Sequence, residues 1–417
     1  MNLSKKSKLL MTFFTKNECI NHYKQTDKTK KILLELYDDI LEAHEYISSL
    51  KHAKGAHFYN ISIKHIQTAG QITKPKNFNS NSFPLEIRNH IDKMSLSELS
   101  YTFSLLDKEI KLIFITEDNV EDHIETYNKY VDTILMWIYI LNQYSSKICA
   151  KTITVYFYFT SLEKKLPKSS VSVLDEIHIN TAFTTTCPRD SEIVIYRKEE
   201  WFKVFMHETF HNFGLDFSDM NNDICTRDIL NIFPIDSKVN LYESYAEFWA
   251  EIMNALFCSF LKLKNKKNTE EFLVNAEFFI NFERTHSFFQ LVKTLRFMGL
   301  QYKDLYLKTK RSKILRETMY KENTNVLSYY VIKTILMNNY QGYLSWCNTN
   351  NLSLLQFKKT PANLKDLCTF IEKNYKTQSM TKGVETTESL FNKLNNSKKV
   401  SNEYIISNLR MSICELG

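Results

Sequence analysis

Two histidines four residues apart are the side chains of this chain best suited to chemistry. His207 and His211 stand in the segment HETFHNFG, and Glu208 follows the first histidine. On an α-helix, positions four apart lie on one face, so both imidazoles can point at one metal ion. Glu208 lies one position round the helix, where its carboxylate can hold a zinc-bound water. The pattern therefore predicts zinc-dependent hydrolysis with Glu208 as the general base.

The residues around this segment bear on a second interpretation, an ordinary core helix whose histidines bond to the backbone. The segment is preceded by a strand-like run and followed by Gly214, and its other residues are strongly apolar. Such a helix would be buried against a sheet, where two unliganded histidines and Glu208 would be costly. This context favours a metal ion. The apolar residues are Trp201, Val204, Phe205, Phe210 and Phe213.

A row of carboxylates on a later segment offers a third ligand. In LYESYAEFWAEIMNALF, Glu243, Glu247 and Glu251 recur every four residues and so form one stripe of a helix. No Lys or Arg stands at the neighbouring helical positions to offset them. Like charges stacked in this way repel by a few tenths of a kcal/mol per pair. A cation that faces the row would remove the conflict.

The HExxH pattern resembles that of the zincin metallopeptidases. The zincins with a third histidine carry HExxHxxGxxH, and here Phe217 stands at that last position. Asp216 lies beside it, which leaves an aspartate ligand with slipped spacing as an alternative. The chain is more similar to the gluzincins, and that resemblance implies a glutamate ligand on a downstream helix.

Gluzincins commonly carry a small residue three positions after the ligand glutamate and, four positions after it, an acid that braces a zinc-bound histidine. Two registers match this pattern, one starting at Glu243 and one starting at Glu247. We favour the register in which His207, His211 and Glu243 hold Zn²⁺. Glu247 then braces a zinc-bound histidine. In the alternative register, Glu247 is itself the third ligand. Without a metal, Glu243 would be the capping-box partner of Asn240.

Two further parts of a peptidase site are expected from the same resemblance. Thermolysin-like enzymes pair the substrate with an edge strand that carries Asn-Ala-Phe. The segment INTAFT is similar and supplies Asn180 and Ala182, although it also fits an ordinary strand. Zincins often donate a hydrogen bond to the oxyanion from a later helical region. Tyr330 is our candidate from the pair Tyr329 and Tyr330, with His286 as the rival and an ordinary packed tyrosine as the alternative.

The elements that must position these residues are typical of an α+β fold. A helix is predicted over 199–214, with Gly214 as a left-handed C-cap, and another over 240–263. We expect a zincin-like catalytic core over 111–263, in which a small mixed sheet supports the active-site helix. Strands are predicted from β-branched and aromatic runs over residues 111–116, 152–160, 176–184 and 192–197.

Largely helical regions are expected on both sides of this core. Residues 1–110 form a helical N-terminal region, within which 30–49 and 95–106 both show apolar residues at helical spacing. Residues 264–377 form a helical C-terminal region. The stretch 378–417 is a polar tail that we expect to be loosely ordered.

Composition argues against several classes of function. The net charge of +7 over 417 residues is modest and the basic clusters are short, so a nucleic-acid groove is not expected. No apolar run is long enough for a membrane span or a signal peptide. Eight scattered cysteines without CxxC pairs favour a reducing compartment, and Cys187 is expected to be a small buried residue rather than a nucleophile. We therefore expect a soluble, intracellular protein.

Nearly the full length of the chain, and especially residues 173–218 and ESYAEFWAEI, is also similar to an uncharacterised group of proteins of large DNA viruses. That resemblance implies a location in the host cytoplasm or the virion. The expected function is zinc-dependent cleavage of a peptide or protein substrate. Two other interpretations are an inactive zincin-fold structural or virion protein and a basic nucleic-acid-binding protein. The sequence carries no signal for the oligomeric state.

Overall fold

The computed structural model describes residues 3–20, 22–55, 58–395 and 403–415. Within these ranges the chain is α+β, with one six-stranded mixed sheet and many helices. The strands are β1 (Asn60–His65), β2 (Ser97–Leu105), β3 (Lys108–Thr116), β4 (Thr152–Phe159), β5 (Ala182–Thr184) and β6 (Asp190–Ile195).

The α-helices occupy most of the remaining described chain. In the first half they are α1 (Lys5–Lys16), α2 (Asp27–Lys54), α3 (Leu85–Met94), α4 (Ile124–Tyr144), α5 (Glu176–Ile179) and α6 (Trp201–Asn212). In the second half they are α7 (Asp223–Ile232), α8 (Leu241–Lys262), α9 (Thr269–Phe297), α10 (Lys310–Met319), α11 (Lys333–Asn338), α12 (Tyr340–Asn350), α13 (Pro361–Asn374), α14 (Gln378–Asn395) and α15 (Glu403–Ser407). A π-helical turn, Leu327–Ile332, leads into α11.

The sheet has the strand order β1-β2-β3-β4-β6-β5. The pairs β1–β2, β2–β3 and β5–β6 are antiparallel, whereas β3–β4 and β4–β6 are parallel. The three-residue β5 therefore lies at one edge, beside β6, whose chain continues into α6. This order places an open strand edge next to the helix that carries the two histidines.

Successive side chains of β4 lie in two different hydrophobic cores, one on each face of the sheet. Val155 and Phe157 face the main core together with α4 and α6, whereas Tyr156 and Tyr158 face a second core against α3. Successive strand residues point to opposite faces, so a continuous run of apolar residues marks a strand buried on both sides. The run TITVYFYF meets that requirement. The predictions of strands over 111–116, 152–160 and 192–197 are confirmed by β3, β4 and β6.

The helices behind the sheet hold α6 in the interior. The indole Nε1 of Trp137, on α4, donates to the hydroxyl of Thr209 at 2.8 Å. On its other side α6 packs against α8, and α8 packs against α9. Nearly every residue of α8 from Ser244 to Phe260 is buried. A helix that is apolar all round is expected in such a central position.

Two sequence predictions on the N-terminal side of the site were wrong. Residues 95–106 are not helical, because in SELSYTFSL the buried residues alternate with more exposed ones from Leu99 onward, which is the period of a strand. The helical region 1–110 thus contributes β1 and β2 to the sheet, and the boundary at 111 falls inside β3. Over 176–184 the strand is limited to β5, since the Asp175 side chain accepts a hydrogen bond from the Glu176 amide and starts the short helix α5.

The C-terminal stretch was also predicted wrongly as a loosely ordered tail. Helix α14 packs on α9, and the segment from Asn408 to Cys414 is buried. Its backbone polar groups are paired: the Glu283 carboxylate accepts hydrogen bonds from the amides of Ile413 and Cys414 at 3.0 and 2.8 Å. The polar residues from Asn408 to Cys414 are therefore hydrogen-bonded inside the protein and are not exposed to solvent. Residues 396–402 and 416–417 of the predicted tail lie outside the described residues.

The cysteines differ from expectation at one place. Cys149 and Cys187 form a disulfide, whereas the sequence predicted no pairing. They are 38 residues apart in sequence, so their proximity depends on how the loops before β4 and β6 meet. None of the helices in the described ranges has the length and apolar character needed to cross a membrane.

Candidate metal centre

Helix α6 presents both histidines to one point. It runs through the buried interior and ends just before Gly214, whose φ of +66° is the left-handed conformation expected of a C-cap glycine. His207 and His211, one turn apart, lie with their Nε2 atoms 3.2 Å from each other. Two Nε2 atoms this close cannot both face each other as unprotonated acceptors without repulsion. A proton or a cation is required between them.

Glu243, in the first turn of α8, completes a three-residue cluster. Its Oε2 lies 3.1 Å from Nε2 of His207 and 3.5 Å from Nε2 of His211. Ligand atoms on a tetrahedral zinc ion with bonds of about 2.0 Å are about 3.3 Å apart. The three separations bracket that value. His207, His211 and Glu243 therefore form a group that could hold a metal ion.

The outer nitrogens of both imidazoles face carboxylates. Nδ1 of His211 bonds to Asp216, and Nδ1 of His207 lies 3.0 Å from Oε2 of Glu247, although not aimed straight at it. A carboxylate beside Nδ1 favours the tautomer with the proton on that nitrogen. Each Nε2 is then left with its lone pair directed at the cluster. This is the arrangement that metal-binding histidines need.

The acidic row of α8 has a different partner at each position. Glu247 pairs with Lys203 at 2.6 Å, and Glu251 pairs with Lys333 at 2.5 Å. Among the described residues Glu243 has no Lys or Arg partner and faces the two histidines instead. The sequence analysis predicted that a cation faces this row. At Glu247 and at Glu251 that cation is a lysine of the protein. Only the first position, at Glu243, is left for a metal.

Burial and charge together shift the pKa values at the cluster. Burial alone would lower the pKa of His207, but the hydrogen bond to Glu243 and the nearby Glu247 carboxylate outweigh it and raise that pKa. The pKa of His211 is raised well above its ordinary value, since Asp216 and Glu243 outweigh the same burial effect. The pKa of Glu243 is lowered, because both histidines outweigh burial. A concentrated negative potential here favours any cation, proton or metal.

Glu208 lies beside the cluster but not in it. Its side chain is 7% exposed and lines the cleft above the histidines. Within the described ranges the carboxylate makes no hydrogen bond that would fix it to another side chain. Burial raises the pKa of Glu208 above the ordinary value. A carboxylate with that shift is suited to accept a proton and return it.

The two neighbouring tyrosines point in different directions. The hydroxyl of Tyr329 donates to Oε2 of Glu243 at 2.8 Å, inside the cluster. The hydroxyl of Tyr330 donates to the carbonyl of Leu409 at 2.7 Å, in the core. The structure therefore places Tyr329, and not the predicted Tyr330, at the cluster, because adjacent residues of a helical turn project in different directions. His286 is buried and bonds to the carbonyl of Arg410, so it is not at the site either.

A cleft of about 520 Å³ opens over the cluster and reaches the edge strand. Asn180 and Ala182, the two residues predicted for a substrate strand, both line it, Ala182 in β5 and Asn180 at the end of α5. The carbonyl of Thr181 accepts the amide of Tyr196, and in an antiparallel ladder hydrogen-bonding residues alternate with outward-facing ones. The amide and carbonyl of Ala182 therefore point to the free edge. This edge can pair with an extended peptide.

Three residues that support the site were not singled out for these roles from sequence. Lys203 stands four residues before His207, hence on the same face of α6, and this spacing could have revealed it. Asp216 was considered as a metal ligand, but it contacts the outer nitrogen of His211. Lys333 comes from α11, about eighty residues after Glu251, and no sequence pattern links the two.

Comparison of the chain with protein-family models, with curated proteins and with solved structures found no match. The family resemblance drawn from HExxH and the downstream glutamates therefore stays a prediction. The geometry of the cluster and the cleft carries the functional argument.

Proposed function

We propose that this protein is a zinc-dependent peptidase of the gluzincin type. One observation carries the proposal: two imidazole nitrogens and one carboxylate oxygen converge at 3.1 to 3.5 Å, and no lysine or arginine in the described structure offsets that carboxylate. The donor set of two histidines and one glutamate is that of catalytic zinc sites, which keep a fourth position for water or substrate. The cleft above the cluster supplies that access.

A zinc ion held by His207, His211 and Glu243 would supply a Lewis acid that acidifies water and polarises a carbonyl. The other roles fall to the protein. Glu208 takes a proton from the attacking water and passes it to the leaving amine. Asp216 and Glu247 keep the imidazoles in the tautomer and orientation that direct Nε2 inward.

Binding and charge stabilisation are assigned to the walls of the cleft. The free edge at Ala182 holds an extended peptide by backbone hydrogen bonds, which is the mode of strand addition. Asn180, whose side chain accepts a hydrogen bond from Thr324 at 2.9 Å, stiffens the start of that edge. The hydroxyl of Tyr329 donates to Glu243 when no substrate is bound, and it would redirect that proton to the oxyanion that develops at the peptide carbonyl.

The location inferred from the viral resemblance, the host cytoplasm or the virion, stays part of the proposal. Disulfides persist in oxidising settings, among them virion surfaces, and are rare in the cytosol. The Cys149–Cys187 disulfide therefore favours the virion of the two. The proposed partner is a peptide or protein substrate, with no role for nucleic acid.

Metal analysis and one conservative substitution test the function. Purified protein should contain one zinc per chain and cleave peptides in a mixed library. Glu208→Gln keeps the shape of the side chain but cannot take a proton, so it should retain zinc and lose about 10²- to 10⁴-fold in kcat. Glu270→Gln, at the exposed start of α9, is the matched control and should keep full activity.

The outcomes separate this proposal from the alternatives. Zinc bound without cleavage of any peptide would favour an inactive zincin-fold structural protein. Tight retention on DNA with a steep dependence on salt would favour a nucleic-acid-binding protein. Protein that binds no zinc would contradict the proposal as a whole.

A further inference from the structure

A small recess opens from the cleft immediately beside Glu208. It shares the walls formed by His207, Glu208 and Ala182 with the main cleft and extends behind them, towards the N-terminal half of α6. A side chain attached next to the bond under attack has this recess within reach, because Glu208 lines both spaces. The recess can therefore receive the side chain of one substrate residue next to the cleaved bond.

The recess has a volume of about 30 Å³. On the same measure, a space that holds one water molecule has about 10–15 Å³. The recess therefore holds a group of about one or two heavy atoms, such as a methyl or a hydroxymethyl group, and is too small for a leucine side chain. The apolar residues that line it include Ile179, Val204 and Met411.

Apart from Glu208, the carboxylates and lysines that border the recess are already paired. Lys203 bonds to Glu247 at 2.6 Å, and Lys164 bonds to Glu200 at 2.6 Å. Their charges are used within the protein, so they offer no free partner to a charged substrate side chain. A small, uncharged group is the occupant that leaves these pairs intact.

Met411 belongs to the buried C-terminal segment, and its backbone is held on both sides. The amide of Ser412 donates to Glu200 at 2.5 Å, and the carbonyl of Arg410 accepts from Gln290 at 2.7 Å. The main chain at Met411 cannot retreat to make room without breaking these bonds. The Met411 side chain is therefore a fixed part of the lining, and its size limits the volume of the recess.

We propose that this recess receives one of the two substrate residues flanking the cleaved bond, and that Met411 restricts that residue to glycine, alanine or serine. This specificity rests on the proposed peptidase function. It assigns to the C-terminal segment a part in selecting the substrate.

Cleavage of a mixed peptide library by zinc-loaded protein, read by mass spectrometry, tests the size limit. One flanking position should be confined to glycine, alanine and serine, while the other accepts larger residues. In matched peptides, alanine at the restricted position should exceed leucine in kcat/KM by about tenfold to a hundredfold. Equal cleavage of peptides with large residues at both positions would overturn the proposal.

Two substitutions should move the limit in opposite directions. Met411→Ala deepens the recess, so the preference for alanine over leucine should shrink to near one. Val204→Ile adds a methylene to the wall. For peptides with alanine at the restricted position, kcat/KM should fall by about tenfold, whereas for peptides with glycine there it should not change. Met380→Ala truncates an equally buried methionine on α14, away from the recess, and should leave the preference unchanged.

Binding without turnover separates this inference from the function on which it rests. Labelled peptides with alanine at the restricted position should bind the Glu208→Gln protein more tightly than those with leucine. When Met411→Ala is added to Glu208→Gln, the two affinities should become equal. A Met411→Ala protein that melts cooperatively yet keeps the original preference would contradict the assignment. If zinc-loaded wild-type protein cleaves no peptide and the Glu208→Gln protein shows no size preference, the function and the inference both fail.

Discussion

Lys203 and Glu247 form a buried ion pair, 2.6 Å long, directly behind the candidate metal centre. The second oxygen of Glu247 faces Nδ1 of His207, so the lysine, the glutamate and the histidine form a chain that leads to the metal position. Burial alone would lower the pKa of Lys203, but Glu247 and Glu200 outweigh it and raise that pKa. The lysine is therefore charged and fixes Glu247 as a carboxylate.

Replacing this lysine should be strongly destabilising. Lys203→Met leaves Glu247 as an uncompensated buried charge, and breaking a buried pair in this way costs about 3 to 5 kcal/mol. Chemical unfolding of the metal-free protein measures the loss. Lys262→Met, at the exposed end of α8, should change the free energy of unfolding by no more than about 0.5 kcal/mol. Equal effects of the two substitutions would show that the pair has no structural importance.

The adjacent tyrosines should separate catalysis from stability. Tyr329→Phe removes the hydroxyl at Glu243 and should lower kcat by about 10²- to 10³-fold with zinc still bound. Tyr330→Phe leaves the carbonyl of Leu409 without its partner, so it should cost about 1 to 3 kcal/mol of stability and change kcat little. Peptidase assays and thermal melts on both variants decide the matter. A loss of kcat in Tyr330→Phe alone would restore the original assignment from sequence.

The affinity for zinc should depend on pH. The change should occur at higher pH than in a site whose histidines have ordinary pKa values. Zinc needs neutral imidazoles, whereas in the metal-free protein the raised pKa values of His207 and His211 keep them protonated to higher pH. Apparent affinity should therefore go on rising above the pH at which ordinary histidines lose their proton, about 6.5, before it levels off. Competition with a chelator at several pH values measures it.

The residue behind His211 gives the matching control. After burial, which acts in the opposite direction, the Asp216 carboxylate is the largest cause of the shift at His211. Asp216→Asn should move the midpoint of the affinity curve to lower pH and weaken zinc binding by about 10- to 100-fold. An unchanged midpoint would mean that Asp216 does not control protonation at the site.

The disulfide should contribute measurably to stability. It ties together loops 38 residues apart, for which loop-closure entropy gives about 4 kcal/mol. Cys149→Ser with Cys187→Ser should lower the free energy of unfolding by about 2 to 4 kcal/mol, and reductant should do the same to the wild type only. Identical unfolding of wild type and double variant without reductant would contradict the bond.

The helix that carries the two histidines was predictable from sequence because its signal is local. A four-residue spacing fixes which side chains share a face, and Gly214 marks the end of the helix by its backbone freedom. The carboxylate row of α8 was predictable for the same reason. Its repulsion also indicated that cations had to face it, although not which ones.

Contacts between distant segments could not be predicted in the same way. Glu251 meets Lys333 and Glu283 meets Ser412 only because α8, α9 and the C-terminal segment pack together. The segment 408–414 reads NLRMSIC and alternates polar with apolar residues, but the mostly polar stretch before it led to the prediction of loose order. The error at residues 95–106 had another origin, since apolar residues at mixed spacing fit a helix and a strand almost equally.

The central claim is that His207, His211 and Glu243 bind one zinc ion. The most direct measurement is a crystal structure of zinc-soaked protein, with anomalous diffraction recorded at the zinc absorption edge. We predict one strong peak about 2.0 to 2.2 Å from Nε2 of each histidine and from a Glu243 oxygen. The absence of a peak there, or a zinc ion held by Glu247 in place of Glu243, would contradict the account.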